Sequence, residues 1–249
     1  MNAMIFAAGL GTRLRPLTEH CPKALVKIGD KTLLEMALNK LVRLGATKII
    51  VNVHHFANQI IEFIETYPSE KTKIIISNEQ EQLLDTGGGL LKAASLFDKN
   101  VPILIYNVDV VTNVNLEALI HYHQTSNNLG TLVTQDRKAS RFLLFNHQNL
   151  LAGWRNPKTG EEKWVTKPHD VVAMGFNGIQ VINPELLTLI SKSGAFPIIP
   201  EYLNLAKEHR IEGWNQWQGK WFDAGTPEKI REIAEFMGHC SASEYQSFY

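Results

Sequence analysis

The chain has 249 residues, with 25 Lys plus Arg against 25 Asp plus Glu and a formal net charge of +0. That balance gives no general field for a polyanion or an anionic membrane, so neither nucleic acid nor membrane is an expected partner and phosphate chemistry must come from locally placed basic side chains. With 44% apolar and 20% charged residues and no apolar run near the ~18 residues of a membrane span, a soluble globular protein is expected. Cys21 and Cys240 lie far apart without metal-ligand spacing, and no charged leader precedes a cleavable apolar segment, so a reduced, cytoplasmic protein is expected.

In chain order, residues 3–8 form the first apolar run and are predicted as a strand. A helix is predicted over 33–44, because Leu34, Leu38, Leu41 and Val42 share one helical face and Gly45 follows as a C-terminal cap. Next come a strand at 48–53, a helix marked by Ile60, Ile61 and Ile64, a strand at 73–77, a helix at 90–96, a strand at 102–107 and a helix at 116–123. Such alternation builds an α/β, mostly parallel sheet with helices on both faces, a layout suited to nucleotides. Beyond residue 130 the pattern changes to hairpin-like strands at 131–134, 141–145, 150–154 and 171–182, read as a small sheet extension. A helix starting near Pro184, helices at 198–209 and 227–237, and a frayed tail after Gly238 complete the expectation. No repeat or linker interrupts the chain, so residues 1–249 are expected to form a single domain with a seam dividing 1–129 from 130–249.

Ala7-Ala8-Gly9-Leu10-Gly11-Thr12-Arg13-Leu14-Arg15-Pro16 follows the first strand, at the carboxyl end where open α/β sheets bind ligands. Gly9 and Gly11 can turn backbone N–H groups toward phosphate oxygens, Thr12 adds a donor and Arg13 a full charge. Leu14 stands where a dinucleotide fingerprint needs its third glycine, and no Gly-Lys-Ser/Thr ending is present, so a dehydrogenase or P-loop protein is disfavoured. Pro16 and Pro22 stiffen the loop carrying Lys23, a second candidate phosphate clamp. Asp109 follows the apolar strand that ends at Asn107, and Asp223 stands between Trp221-Phe222 and Gly225-Thr226-Pro227; alone, either aspartate reads equally well as a turn or cap residue. The glycines of Leu84-Asp85-Thr86-Gly87-Gly88-Gly89 cost backbone entropy and suggest close approach to a ligand, a turn capped by Asp85 or Thr86 being the other reading. His121 and His123 point to different sides of their helix, His54-His55 ends a strand, and Trp214, Trp217 and Trp221 read as core or sheet-edge aromatics without a site role.

The run Gly9-x-Gly11-Thr12-Arg13-x-Arg15-Pro16-Leu17-Thr18, followed by Pro22-Lys23, resembles the signature of the sugar-1-phosphate nucleotidyltransferases, and the likeness extends over nearly the full chain. The resemblance implies a Rossmann-like, glycosyltransferase-A-like fold with a nucleotide-binding part at 1–129 and a sugar-binding part at 130–249. It further implies a reaction in which a nucleoside triphosphate and a sugar 1-phosphate give an NDP-sugar and pyrophosphate. By match to the family's motifs, Arg13 and Lys23 bind the triphosphate and stabilise charge as pyrophosphate leaves. Asp109 and Asp223 hold Mg²⁺, which requires hard oxygen ligands. Ala8, Gly9, Gly11, Thr12 and Asn107 belong to the nucleotide site, with Thr86, Gly87 and Gly88 as the base-contacting loop. Phe176-Asn177-Gly178-Ile179 resembles the segment beneath the sugar, Asn177 offering its amide and Gly178 allowing close approach.

Two departures stand out: Val108 where relatives commonly have glycine, and Thr166-Lys167-Pro168 where many have Glu-Lys-Pro. Within the family the 84–89 loop, the 176–179 segment and Trp221-Phe222-Asp223-Ala224-Gly225-Thr226 most resemble the N-acetylmuramate-1-phosphate uridylyltransferases. That implies UTP, N-acetylmuramate 1-phosphate and a place in cell-wall recycling, with Arg155 and Lys167 as candidate cations for the muramate carboxylate. Mannose- or heptose-1-phosphate guanylyltransferases are the alternative. A non-catalytic regulatory subunit is the rival of another class, against which the retained Arg13, Lys23, Asp109 and Asp223 argue. An appended β-helix acyltransferase domain is not expected.

Overall fold

A computed structural model describes residues 1–167 and 169–249, so Pro168 of the Thr166-Lys167-Pro168 segment lies outside the described residues. The first half comprises β1 (Asn2–Phe6), β2 (Lys27–Ile28), β3 (Lys31–Thr32), α1 (Leu33–Arg43), β4 (Lys48–Val53), α2 (Ala57–Thr66), β5 (Lys73–Asn78), α3 (Asp85–Lys92), β6 (Ile103–Asn107), β7 (Val110–Thr112) and α4 (Leu116–Thr125). The second comprises β8 (Gly130–Gln135), β9 (Phe142–Phe145), β10 (Leu151–Arg155), β11 (Glu162–Trp164), β12 (Val172–Ile182), α5 (Glu185–Leu189), α6 (Ile198–Leu205), β13 (Ile211–Trp214), β14 (Trp221–Asp223), α7 (Pro227–Gly238) and α8 (Ala242–Ser247).

β6, β1, β4 and β5 lie side by side and parallel, as the strand–helix alternation predicts. The long β12 runs antiparallel to β6 and carries the sheet on through β9, β10 and β11. Its other edge pairs with β8, to which β13 adds in parallel. The mixed, mostly parallel central sheet with an antiparallel extension is therefore the observed architecture.

Strand residues alternate between two cores because successive side chains point to opposite faces. Ala3, Ile5, Ile49, Val51, Leu104 and Tyr106 face one core, completed by α1, α2, α4 and α7. Met4, Ile50, Ile103 and Ile105 face the other, completed by α3, α5 and α6. Burial on both sides explains why these strands read as continuous apolar runs. At α1, the Thr32 hydroxyl accepts from Glu35 N–H at 3.0 Å, and Gly45 leaves the helix at φ 83°.

Several expectations change. The helix predicted at 90–96 already begins at Asp85 and takes in all three glycines, while the one predicted at 198–209 stops at Leu205. β2 and β3, two residues each, are too short to show a period. The frayed tail is a correction: residues 242–247 form α8, Phe248 is 1% exposed, and Phe248 packs beside Phe236 of α7. Lys40 donates to the Ser247 carbonyl at 2.9 Å and Arg43 to that of Gln246 at 2.7 Å, which anchors the tail to α1. An aromatic residue with a core to enter, and carbonyls with cations to meet, do not fray.

Phe248→Ala should therefore lower stability by about 3 kcal/mol in urea unfolding, whereas an undocked tail would leave it unchanged. Burial, helped by Arg43, lowers the pKa of Lys40 to about 8. The unfolded chain then binds more protons than the folded one from about pH 8 up to the ordinary lysine value of 10.5, so stability should rise through that window. Lys40→Met should flatten the rise, as measured by unfolding at a series of pH values.

Candidate functional site

Parallel strands bring their carboxyl ends to one edge of the sheet, and the chain places polar residues there: Asn52 in β4, Glu79 just past β5 and Asn107 at the end of β6. Two cavities open at this edge, one of about 460 Å³ and one of about 720 Å³. Ala8, Gly9, Lys23 and Thr86 line the smaller, while Arg13, Asn177, Gly178 and Asp223 line the larger. Asn107 and Asp109 line both, so the cavities meet at the end of β6. Gly11, Thr12, Gly87 and Gly88 line neither.

Gly11 shapes the loop from outside the lining. It sits at φ 65°, and a Cβ there would stand 3.0 Å from Thr18 Cγ2 and 3.1 Å from Lys23 Cβ. The loop is closed by Thr18, whose hydroxyl donates to the Gly11 carbonyl at 2.8 Å.

The glycines of α3 also answer to a constraint within the protein. A Cβ on Gly87 would come within 2.3 Å of the Phe196 ring, one on Gly88 within 2.1 Å of the Gly194 carbonyl oxygen, and one on Gly89 within 2.6 Å of Glu79 Oε1. The N–H groups of Gly87 and Gly88 both point to the Phe196 carbonyl, at 2.8 and 3.3 Å. The close approach is thus between α3 and its own protein neighbours. Gly178 behaves alike: at φ 75°, its Cβ would meet Asn107 Nδ2 at 2.8 Å. Val108, 4% exposed, lines the smaller cavity.

Asp109 and Asp223 are brought together by the antiparallel pairing of β7 with β14, in which Asp223 faces Val110. Ala224 N–H donates to the Asp109 carbonyl at 2.8 Å, locking the two strand ends. Each carboxylate is paired with a lysine, Asp109 with Lys23 and Asp223 with Lys229. Arg13 lies over Gly225, its Nη2 3.4 Å from where a Cβ would stand. Among the described residues no group of three or more His, Cys, Asp or Glu could hold a metal. Two carboxylates with room for substrate oxygens are, however, a donor set that suits Mg²⁺.

Glu79 and Asn52 escaped sequence reasoning. Fully buried beside the smaller cavity, the Glu79 carboxylate accepts from Asn52 Nδ2 at 2.8 Å and Leu84 N–H at 3.1 Å, and Asn52 Oδ1 in turn accepts from Ala7 N–H at 2.7 Å. The signal that singled out Asp109, a polar residue at the end of an apolar strand, marks these two as well. Arg155 does not reach the site: it stands directly across from Glu162 in the β10–β11 ladder and bonds to it at 2.7 Å. Lys167 is likewise not among the lining residues, and its ammonium stacks 5.5 Å from the Trp164 ring. The cations from the second half that do line the larger cavity are Arg137, Lys138, Arg141 and Lys163, together with Lys229, which is paired to Asp223. Trp214 and Trp217 pack as expected, but Trp221 lines the larger cavity and corrects the view that it has no place in the site. Among the described residues, no helix is long and apolar enough to cross a membrane.

Known proteins resemble this chain in sequence and in fold. The chain is 28% identical over 236 residues to the mannose-1-phosphate guanyltransferase of Debaryomyces hansenii, a match covering 91% of this chain and 62% of that protein. It is also 28% identical over 244 residues to the N-acetylmuramate alpha-1-phosphate uridylyltransferase of Caulobacter vibrioides, covering 91% and 92%. The chain thus spans about 62% of the length of the guanyltransferases it matches. In fold it resembles HddC from Yersinia pseudotuberculosis complexed with GMP-PN, with a TM-score of 0.74, 18% identity and coverage of 94% and 98%. A UDP-glucose pyrophosphorylase complexed with UDP-glucose aligns with a TM-score of 0.75, 16% identity and coverage of 95% and 98%. The sequence profile of the nucleotidyl transferases matches residues 2–239, from β1 to the end of α7. With so nearly the whole chain accounted for, the protein belongs to the nucleotidyl transferase family.

Proposed function

We propose that the protein transfers a nucleotidyl group from a nucleoside triphosphate to a sugar 1-phosphate, releasing pyrophosphate. The observation that carries this reading is the meeting of two cavities at Asn107 and Asp109, which lets two anionic substrates approach one point from different sides. An oxygen of the sugar phosphate bonds to the α-phosphorus while the bond from that phosphorus to the pyrophosphate oxygen breaks. The attacking group is already an anion at neutral pH, so no general base and no covalent enzyme intermediate are needed. Catalysis then rests on positioning and charge neutralisation. Arg13 and Lys23 neutralise the triphosphate, Lys23 exchanging its bond to Asp109 for phosphate oxygens. Asp109 and Asp223 would hold Mg²⁺, which supplies further neutralisation of the phosphates when bound.

For the substrates we favour UTP with N-acetylmuramate 1-phosphate, because Arg137, Lys138, Arg141 and Lys163 on the larger cavity suit a sugar that carries a carboxylate besides its phosphate. Guanylyl transfer to mannose 1-phosphate is the second reading, favoured by the equally similar guanyltransferases. The retained cations and carboxylates at one junction speak against a non-catalytic subunit. The same reading takes residues 1–249 as a single domain, nucleotide bound by 1–129 and sugar by 130–249, in a cytoplasmic enzyme of cell-wall recycling.

Arg13→Ala and Lys23→Ala should each lower kcat by ~10²-fold or more with the fold intact, as for loss of a charge-stabilising donor. Near-parental turnover in both would remove the assignment. Asp109→Asn and Asp223→Asn should abolish the Mg²⁺ dependence of pyrophosphate release while thermal unfolding stays close to the parent. In a matrix of triphosphates against sugar phosphates, kcat/KM should be highest for UTP with N-acetylmuramate 1-phosphate. A higher value for GTP with mannose 1-phosphate would establish the second reading instead.

A further inference from the structure

Arg137 is built into the wall of the larger cavity in a way that its exposed basic neighbours are not. It follows β8 and lies half-buried, its guanidinium 4.1 Å from the centre of the Trp221 ring. It also fills the space left by Gly175, where a Cβ would stand 3.0 Å from Arg137 Cγ, Nε and Cζ. Nε donates to Asn177 Oδ1 at 3.0 Å, Nη2 to the Phe176 carbonyl at 2.7 Å and Nη1 to the Lys138 carbonyl at 3.2 Å. Trp221 is itself held by a bond from Nε1 to the Asn177 carbonyl at 2.9 Å. A guanidinium has five N–H donors, so about two remain free here.

Among the described residues the charge also lacks a directly bonded acid: Asp223, the acid whose field it feels, is bonded to Lys229. A partly desolvated cation gains most from an anion that reaches it. The second open valence is on Asn177, fully buried in the same wall, whose Nδ2 has no protein partner. Because Arg137 Nε donates only to an oxygen, it fixes the amide with Nδ2 free for a ligand. Triphosphate on the Gly9 and Lys23 side would lie across the Asp109 junction, leaving Arg137 for the other substrate.

We propose that Arg137 binds the 1-phosphate of the sugar substrate and orients Asn177 to donate to the same molecule. This rests on the nucleotidyl transfer reading above. The test compares the parent with Arg137→Ala, Arg137→Lys and Gly175→Ala, using N-acetylmuramate 1-phosphate and mannose 1-phosphate with UTP and GTP. Arg137→Ala should raise the KM for the sugar phosphate ~10-fold or more, with the triphosphate KM changed less than about twofold. Arg137→Lys should recover only part of the loss, since an ammonium cannot reproduce the planar fork. Gly175→Ala keeps the charge but pushes the guanidinium, and should raise the same KM. Unchanged sugar-phosphate KM in Arg137→Ala and Gly175→Ala, or an equal rise for the triphosphate, would overturn the assignment. If Arg137→Ala does not fold, the other two variants decide.

A second measurement is independent of turnover. Inorganic phosphate should change the part of the tryptophan emission that Trp221→Phe removes, and Arg137→Ala should abolish that response. The same titration curve in Arg137→Ala as in the parent would dismiss the site. If no substrate pair reacts, the proposed activity fails while this titration still decides for Arg137.

Discussion

The short ribbon of β7 and β14 is the constraint on which the site depends. It joins residues from the two halves of the chain through three facing pairs, and side chains pin it further. Thr112 Oγ1 donates to the Lys220 carbonyl at 2.7 Å, and Lys220 N–H donates to Asn113 Oδ1 at 2.7 Å. The Ala224 N–H bond to the Asp109 carbonyl then fixes the end of the ribbon where Asp223, the last residue of β14, faces Val110, the first of β7. From that point Thr226 caps α7, which packs into the same core as α1. Without the ribbon, Asp109 would be a turn residue and Asp223 a residue before a helix.

Gathering acids at one cavity has an electrostatic cost, since like charges disfavour each other's ionisation. The protein offsets it with one lysine for each, drawn from different places: Lys23 from the loop after β1, and Lys229 from the first turn of α7. Both pairs are partly exposed, with side-chain exposures of 13% and 21% in one and 44% and 26% in the other. They are therefore not sealed against exchange, and in the reaction proposed above a phosphate would take the lysine and a cation the acid.

What the sequence makes legible follows from what is local. Strands buried on both faces show as apolar runs, so β1, β4 and β6 are readable, as are the half-buried edge strand β5 by its three isoleucines and the helix cap at Gly45. Asp109 stands out because strand ends in a parallel sheet all meet at one edge. Less legible was anything set by a distant neighbour. The glycines of α3 carry the same letters whether a ligand or Phe196 lies against them, and only the packing decides. Arg155 and Arg137 are both arginines at strand ends, but cross-strand Glu162 claims one, while Gly175 and Trp221 cradle the other. The tail looked polar through residues 241–247, and its docking depends on Lys40 and Arg43, some two hundred positions earlier.

The contact between α3 and the segment after Gly194 bears on both cavities at once. Ala195 belongs to the wall of the smaller and Pro197 to that of the larger, so the residues between them are a partition common to both. That partition is bolted to α3 by Gly87 N–H on the Phe196 carbonyl, by Phe196 N–H on the Leu84 carbonyl at 3.1 Å, and by Ile198 N–H on Thr86 Oγ1 at 3.0 Å. The glycines let the two backbones approach closely enough for these bonds to form. Both chambers are thereby bounded by one backbone segment tied to a helix at three points, a wall whose place is set by the fold itself.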